Sequence, residues 1–153
     1  MSDEWRRAQY KISTDRLQLN TTLIHDYLSN SSYWATRRSL EAVDRSIENS
    51  LCFGLFDVSA LPQQQIGFAR VVTDYATFAW LADVFVLEEF RGQGLAKWLI
   101  EVIVTHPQLQ GFRRWLLATK DAHELYRRFG FSELQDPARW MERLQDSSSP
   151  TNR

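Results

Sequence analysis

The stretch Leu81-Ala82-Asp83-Val84-Phe85-Val86-Leu87, followed by Glu88-Glu89-Phe90 and Arg91-Gly92-Gln93-Gly94-Leu95-Ala96-Lys97, decides how this chain folds. The apolar run predicts a strand, the glycines a turn, and Trp98-Leu99-Ile100-Glu101-Val102-Ile103 a helix. A turn in that place aims several backbone N–H groups at one point, beside the positive end of a helix dipole. Such a cradle suits a phosphate or pyrophosphate. Glycine tolerates φ > 0 and lets a ligand approach the backbone closely. Arg91 can add a bidentate charge-assisted contact.

Two common phosphate loops do not fit. A dinucleotide fingerprint needs G-x-G-x-x-G, and Lys97 stands where the third glycine belongs. The G-x-x-x-x-G-K-[ST] loop is absent as well. What remains is [Arg/Gln]-x-x-Gly-x-[Gly/Ala], met by Arg91, Gly94 and Ala96. Further on, Ala122-His123-Glu124-Leu125-Tyr126-Arg127-Arg128-Phe129-Gly130-Phe131 carries Ala-x-x-x-Tyr-x-x-x-Gly-Phe. Its residues Ala122, Leu125, Tyr126 and Phe129 fall on one helical face, and Gly130 reads as the glycine that ends the helix. With these two motifs in this order, the chain resembles the GNAT superfamily of acyl-CoA-dependent N-acetyltransferases, specifically from about Val72 to Phe131. The N-terminal third is similar only in element order.

Bulk properties set the frame. The chain has 153 residues, which suits one domain over residues 1–145, and 44% of them are hydrophobic, enough for a core. Residues 146–153 form a polar tail expected to be frayed. A net charge of −1 gives no basic field to recruit nucleic acid, and the pairs Arg37-Arg38, Arg113-Arg114 and Arg127-Arg128 are scattered among acids. One cysteine, Cys52, excludes an internal disulfide and reads as a buried thiol. No signal-peptide pattern and no apolar run near 18 residues predict a cytoplasmic chain with no membrane span. Without H-E-x-x-H, a Cys pair or an Asp-x-Asp loop, no metal is expected.

The pattern predicts a strand at Tyr10–Ser13 and a helix capped by Asn20 or Thr21 and running to Ser29, with Leu23, Ile24, Tyr27 and Leu28 inward. A second helix runs from Ser39 to Asn49 with Leu40, Val43 and Ile47 inward. Strands follow at Leu51–Asp57, Ile66–Thr73 and Phe78–Val86, with a turn over Ala60–Gln65. The helix after the glycines stops before His106-Pro107. Trp115–Ala118 reads as a short buried strand, and Trp140–Leu144 as a last strand closing the sheet. The order indicates an α+β domain. The resemblance implies the GNAT three-layer fold, a mixed, mostly antiparallel sheet flanked by helices.

The resemblance also implies chemistry. The turn Arg91-Gly92-Gln93-Gly94-Leu95-Ala96-Lys97 would wrap the pyrophosphate of acetyl-CoA, and the backbone of Val84, Phe85 and Val86 would meet the thioester and the pantetheine arm. An N–H aimed at the developing oxyanion is worth about 3 kcal/mol. Tyr126 either protonates the departing thiolate or is a core tyrosine; a phenol is neutral at pH 7 and still donates. Thr119 stands where many members keep an asparagine that contacts the pantetheine arm. Asp83 is the only charge between Asp74 and Glu88. It is either a base of raised pKa that deprotonates the acceptor, or a structural carboxylate tied to its neighbours. Strict alternation places it with Leu81 and Phe85, opposite Val84 and Val86. Glu88 and Glu89 read as a solvated corner, His123 as the edge of a helix, and His25 and His106 show no partner spacing.

The acceptor, in the family, enters opposite the cofactor. Here that region offers Tyr33, Trp34 and Arg37 or Arg38, with Phe78 and Trp80 on the sheet. The aromatic wall suits an apolar or cationic group, and an arginine suits a carboxylate. The alternative is that Trp34 covers core and the arginines are solvated. The function expected is acetyl transfer to a primary amine, on a small molecule or a peptide, by direct attack in a ternary complex. A catalytically silent acyl-CoA-binding regulatory module is the other reading, and a homodimer through the C-terminal strands is what family members often form.

Overall fold

The computed structural model describes residues 2–145, so the polar tail expected at 146–153 lies outside the described residues. Its elements are β1 (Glu4–Arg7), β2 (Tyr10–Ser13), α1 (Thr21–Asn30), α2 (Leu40–Glu48), β3 (Leu51–Asp57), β4 (Gln64–Thr73), β5 (Phe78–Val86), α3 (Leu95–Val104), β6 (Arg114–Leu116) and α4 (His123–Arg127). One six-stranded sheet runs in the order β1-β2-β3-β4-β5-β6. Its pairs are antiparallel up to β5, and β5 meets β6 in parallel. This is the α+β architecture expected.

Helices cover both faces, which makes three layers. On one face Leu95, Trp98, Leu99, Val102 and Ile103 of α3 pack on Ile12, Phe53, Leu55, Ile66, Val71, Ala79, Leu81 and Val86. On the other, Ile24 and Leu28 of α1 and Val43 and Ile47 of α2 pack on Cys52, Phe68 and Phe85. Side chains such as Phe53, Leu99 and Ile100 are fully buried and contribute about 2 kcal/mol each. Both N-terminal helices start on side-chain caps: Asn20 accepts from Leu23 N at 3.0 Å and Ser39 from Ala42 N at 3.1 Å. Cys52 is buried and burial pushes its thiol up to about 12, so it stays protonated.

The structure corrects several expectations. Strand β1 has no apolar alternation in Glu4-Trp5-Arg6-Arg7 and was not anticipated; it is an edge strand whose charges face solvent. It is anchored by Trp5, which packs on Phe53 and His106, and by His106 Nε2, which sits 3.0 Å from Asp3 Oδ2. The expected strand at Trp140–Leu144 is absent: that stretch is irregular, with Met141 and Leu144 exposed. Apolar residues at 140, 141 and 144 do not alternate, so they offer no face to lay on a sheet. Leu40 lies exposed at the start of α2, and the strand expected at Trp115–Ala118 is only half-buried and ends at Leu116. Among the described residues no helix is long and apolar enough to cross a membrane, and no group of His, Cys, Asp and Glu gathers as a metal site.

Candidate active site

Two irregularities in the sheet create the site. First, β5 and β6 pair only from Phe78↔Arg114 to Trp80↔Leu116. Past that point a cavity of about 570 Å³ opens between Leu81–Val84 on one side and Leu117–Ala122 on the other. Second, β4–β5 pairing slips between Phe68↔Phe85 and Arg70↔Ala82. Asp83 and Val84 therefore stand opposite the single Ala69, and Asp83 takes φ 54°. This is a β-bulge, and the extra residue reverses the facing of all that follow. Leu81 belongs to the core under α3, whereas Phe85 belongs to the core under α1 and α2. The expected alternation of Leu81, Asp83 and Phe85 on one face is thus corrected.

The bulge hands the Asp83 side chain to three donors. Trp34 Nε1 donates to Oδ1 at 2.9 Å, and Arg38 Nη1 and Arg70 Nε donate to Oδ2 at 2.7 and 2.6 Å. The carboxylate is 2% exposed. Burial pushes its pKa up, but the Arg70 and Arg38 charges and the bonds from Arg70 and Trp34 outweigh it, and the net shift is downward. The downward direction runs against the expected base of raised pKa, and the three bonds tie the carboxylate to its neighbours. The backbone of Arg38 is held in turn, its carbonyl accepting from His25 Nε2 at 3.1 Å and Ser29 Oγ at 3.2 Å. So His25 does have a partner, which its sequence spacing did not reveal.

Across the cavity stands Tyr126, 8% exposed on the short helix α4. Burial, with Tyr33 nearby, pushes its phenol up to about 12, so it holds its proton throughout the neutral range. Phe131 packs edge-on against its ring at 5.9 Å. Tyr33 bridges the mouth: its hydroxyl accepts from Lys120 N at 2.6 Å. Thr119 Oγ1 accepts from Ala122 N at 3.1 Å and so fixes the turn into α4. Trp80 is partly exposed on the same wall.

The glycine turn sits where β5 meets α3. Gly92 and Gly94 have φ 83° and 78°, and a Cβ built on either would meet nothing within 4 Å. An open, positively curved backbone at the start of a ten-residue helix fits a phosphate group. Arg91 is less free than expected: Nε donates to the Val86 carbonyl at 2.9 Å and Nη2 to Tyr27 Oη at 2.8 Å. Tyr27 in turn stacks on Phe85, so the arginine braces the turn against α1. The Gln93 side chain is occupied by Tyr10 Oη at 2.9 Å. Leu95 is buried, Ala96 half-buried, and Lys97 exposed.

The cavity thus brings together Tyr33, Trp34, Arg38, Trp80, Asp83, Val84, Thr119 and Tyr126. It does not include Phe85, Val86 or the turn 91–97, and Arg37 and Phe78 stay outside it. Glu88, Glu89 and His123 are exposed. Sequence reasoning missed Arg70 and Lys120. A signal for Arg70 existed: it is a lone charge inside the apolar strand Ile66–Val72, as Asp83 is inside the next one. Two lone opposite charges in consecutive strands predict a pair.

Residues 49–133 match the family described as acetyltransferase (GNAT) domain. A Gibberella zeae protein proposed to be an acetyltransferase is 30% identical over 140 residues, covering 80% of this chain and 78% of that protein. Among solved structures, a protein of Xanthomonas campestris pv. campestris, proposed to be an acetyltransferase of the GNAT family, is 48% identical. It superposes with a TM-score of 0.84 over 89% of this chain and 93% of that one. A GNAT family acetyltransferase of Elizabethkingia anophelis, solved with acetyl-CoA bound, shares the fold at 13% identity. Its TM-score is 0.61, over 92% of this chain and 91% of that one.

Proposed function

Because the chain belongs to the GNAT acetyltransferase family, we propose that it moves an acetyl group from acetyl-CoA to a primary amine by direct attack in a ternary complex. The observation that carries this reading is one cavity shared by a protonated, buried phenol and a strand bulge, on a strand that leads through a short 3-10 turn at Glu88–Phe90 to the Gly92–Gly94 turn. Acetyl-CoA, when bound, supplies the acetyl group as a reactive thioester. The turn 91–97 and the N-terminus of α3 would hold its pyrophosphate. The Val84–Val86 backbone would orient the acyl end. Tyr126 Oη holds a proton that it delivers to the departing sulfur. Asp83 acts as a positioning residue, because its triply bonded carboxylate sets Trp34 and Arg38 on the cavity wall. No protein base is assigned: the acceptor reacts from its neutral form, the proton it loses passes to water, and water reprotonates the Tyr126 phenolate.

Thermal unfolding with and without acetyl-CoA tests the reading. At about 100 times its dissociation constant the ligand stabilises the fold by about 2.7 kcal/mol, several degrees in Tm. The shift should vanish in Gly94→Glu. No shift at any concentration would refute the cofactor assignment. Binding with no turnover of any amine would favour the silent acyl-CoA-binding module instead.

A further inference from the structure

The cavity floor carries two guanidiniums and one carboxylate. Arg38 and Arg70 share a single oxygen of Asp83, so one positive charge is left over at the floor of the cavity. Arg70 spends a second donor on Ser50 Oγ at 3.2 Å and is only 14% exposed. Arg38 uses Nη1 alone; its Nε and Nη2 have no partner among the described residues, and its side chain is 24% exposed on the cavity. Its orientation is fixed from behind by Asp83 and by the two bonds to its carbonyl. Lys120 and Asp121, at the rim, are exposed and of opposite sign. An excess buried charge is costly unless a ligand balances it. A pre-oriented planar fork with free donors is matched by a carboxylate.

Resting on the acetyl-transfer reading, we propose that the acceptor is an amino acid whose carboxylate binds Arg38 while its side chain lies against Trp34 and Trp80. Aromatic and large aliphatic amino acids fit the wall better than small ones.

The experiment compares L-tyrosine with tyramine and L-leucine with isoamylamine, pairs that differ by the carboxylate alone. Each is titrated calorimetrically into protein saturated with CoA, and kcat/KM is measured with acetyl-CoA. The acid members should bind and react at least ~30-fold better, the size of one charge-assisted contact. In Arg38→Met that ratio should fall toward one, and Arg38→Lys should lie between. Equal or better use of the decarboxylated amines by the unaltered protein overturns the proposal, whatever the variants do. So does acetyl-CoA binding with no binding of either amino acid. Absence of acetyl-CoA binding strikes the functional reading instead, and titration of the same four compounds into the protein alone then decides the role of Arg38: a carboxylate preference lost in Arg38→Met supports it, and no preference overturns it.

Discussion

Arg70 Nε lies 2.6 Å from Asp83 Oδ2, across a strand pair that slips its register at that same point. The ion pair and the bulge depend on each other. Without the bulge, Asp83 would face the core under α3; without Arg70 and Arg38, a buried carboxylate at positive φ would have no compensation. Replacing one member of such a buried pair leaves the other uncompensated, at a cost of about 3 kcal/mol. Asp83→Asn should lower stability by that order in urea unfolding, and turnover should fall with it because Trp34 and Arg38 lose their anchor. Unchanged stability would contradict the coupling.

The pH dependence of stability follows from the downward shift at Asp83. A folded pKa below the ordinary 3.8 means that its contribution is complete above the unfolded value. It is lost as pH falls through the lower folded value. The difference in Tm between the unaltered protein and Asp83→Asn should stay flat from pH 8 to 5 and shrink below about pH 4. A difference that changes between pH 6 and 8 would mean a base of raised pKa after all.

Tyr126→Phe removes the proton that the departing sulfur needs. We expect kcat to fall about 100-fold while the acetyl-CoA dissociation constant changes little. Because the phenol is pushed up to about 12, the unaltered enzyme should show no alkaline loss of activity from this group below about pH 10. Equal kcat in the variant would reduce Tyr126 to a packing role.

Gly92 has φ 83° with nothing near its missing Cβ, so an alanine there meets strain but no clash. Gly92→Ala should cost about 1 kcal/mol of stability and weaken acetyl-CoA binding at least ~10-fold by closing the approach to the backbone. Titration of the variant with acetyl-CoA measures this directly. Affinity equal to that of the parent would place the pyrophosphate elsewhere.

Tyr33→Phe deletes the acceptor for Lys120 N, a bond worth about 1 kcal/mol. Amide exchange at Lys120 should quicken several-fold, and KM for the acceptor should rise more than KM for acetyl-CoA. Unchanged exchange at Lys120 would mean that Tyr33 does not hold the mouth closed.

The sequence was most legible where periodicity and punctuation agreed. Leu51–Asp57 and Phe78–Val86 end where their patterns end, and Asn20 and Ser39 cap the helices they begin. It was least legible where burial is shallow or the period breaks. Glu4–Arg7 is an edge strand held by Trp5 and His106, and nothing local marks it. The slip at Asp83 hides inside an apolar run, because valine and phenylalanine suit either face. Eight of the sixteen residues that line the cavity are site candidates in the sequence. Arg70 is not among them: its lone charge in an apolar strand gains meaning only when set beside the lone Asp83 of the next strand.

Transfer from acetyl-CoA to an amine in this cavity shows itself as release of free CoA thiol, measured with and without L-tyrosine and L-leucine in the unaltered protein and in Tyr126→Phe. Release should require the amine, match acetylated product one for one, and drop about 100-fold in the variant. Thiol release that is indifferent to amines and to Tyr126 would contradict it.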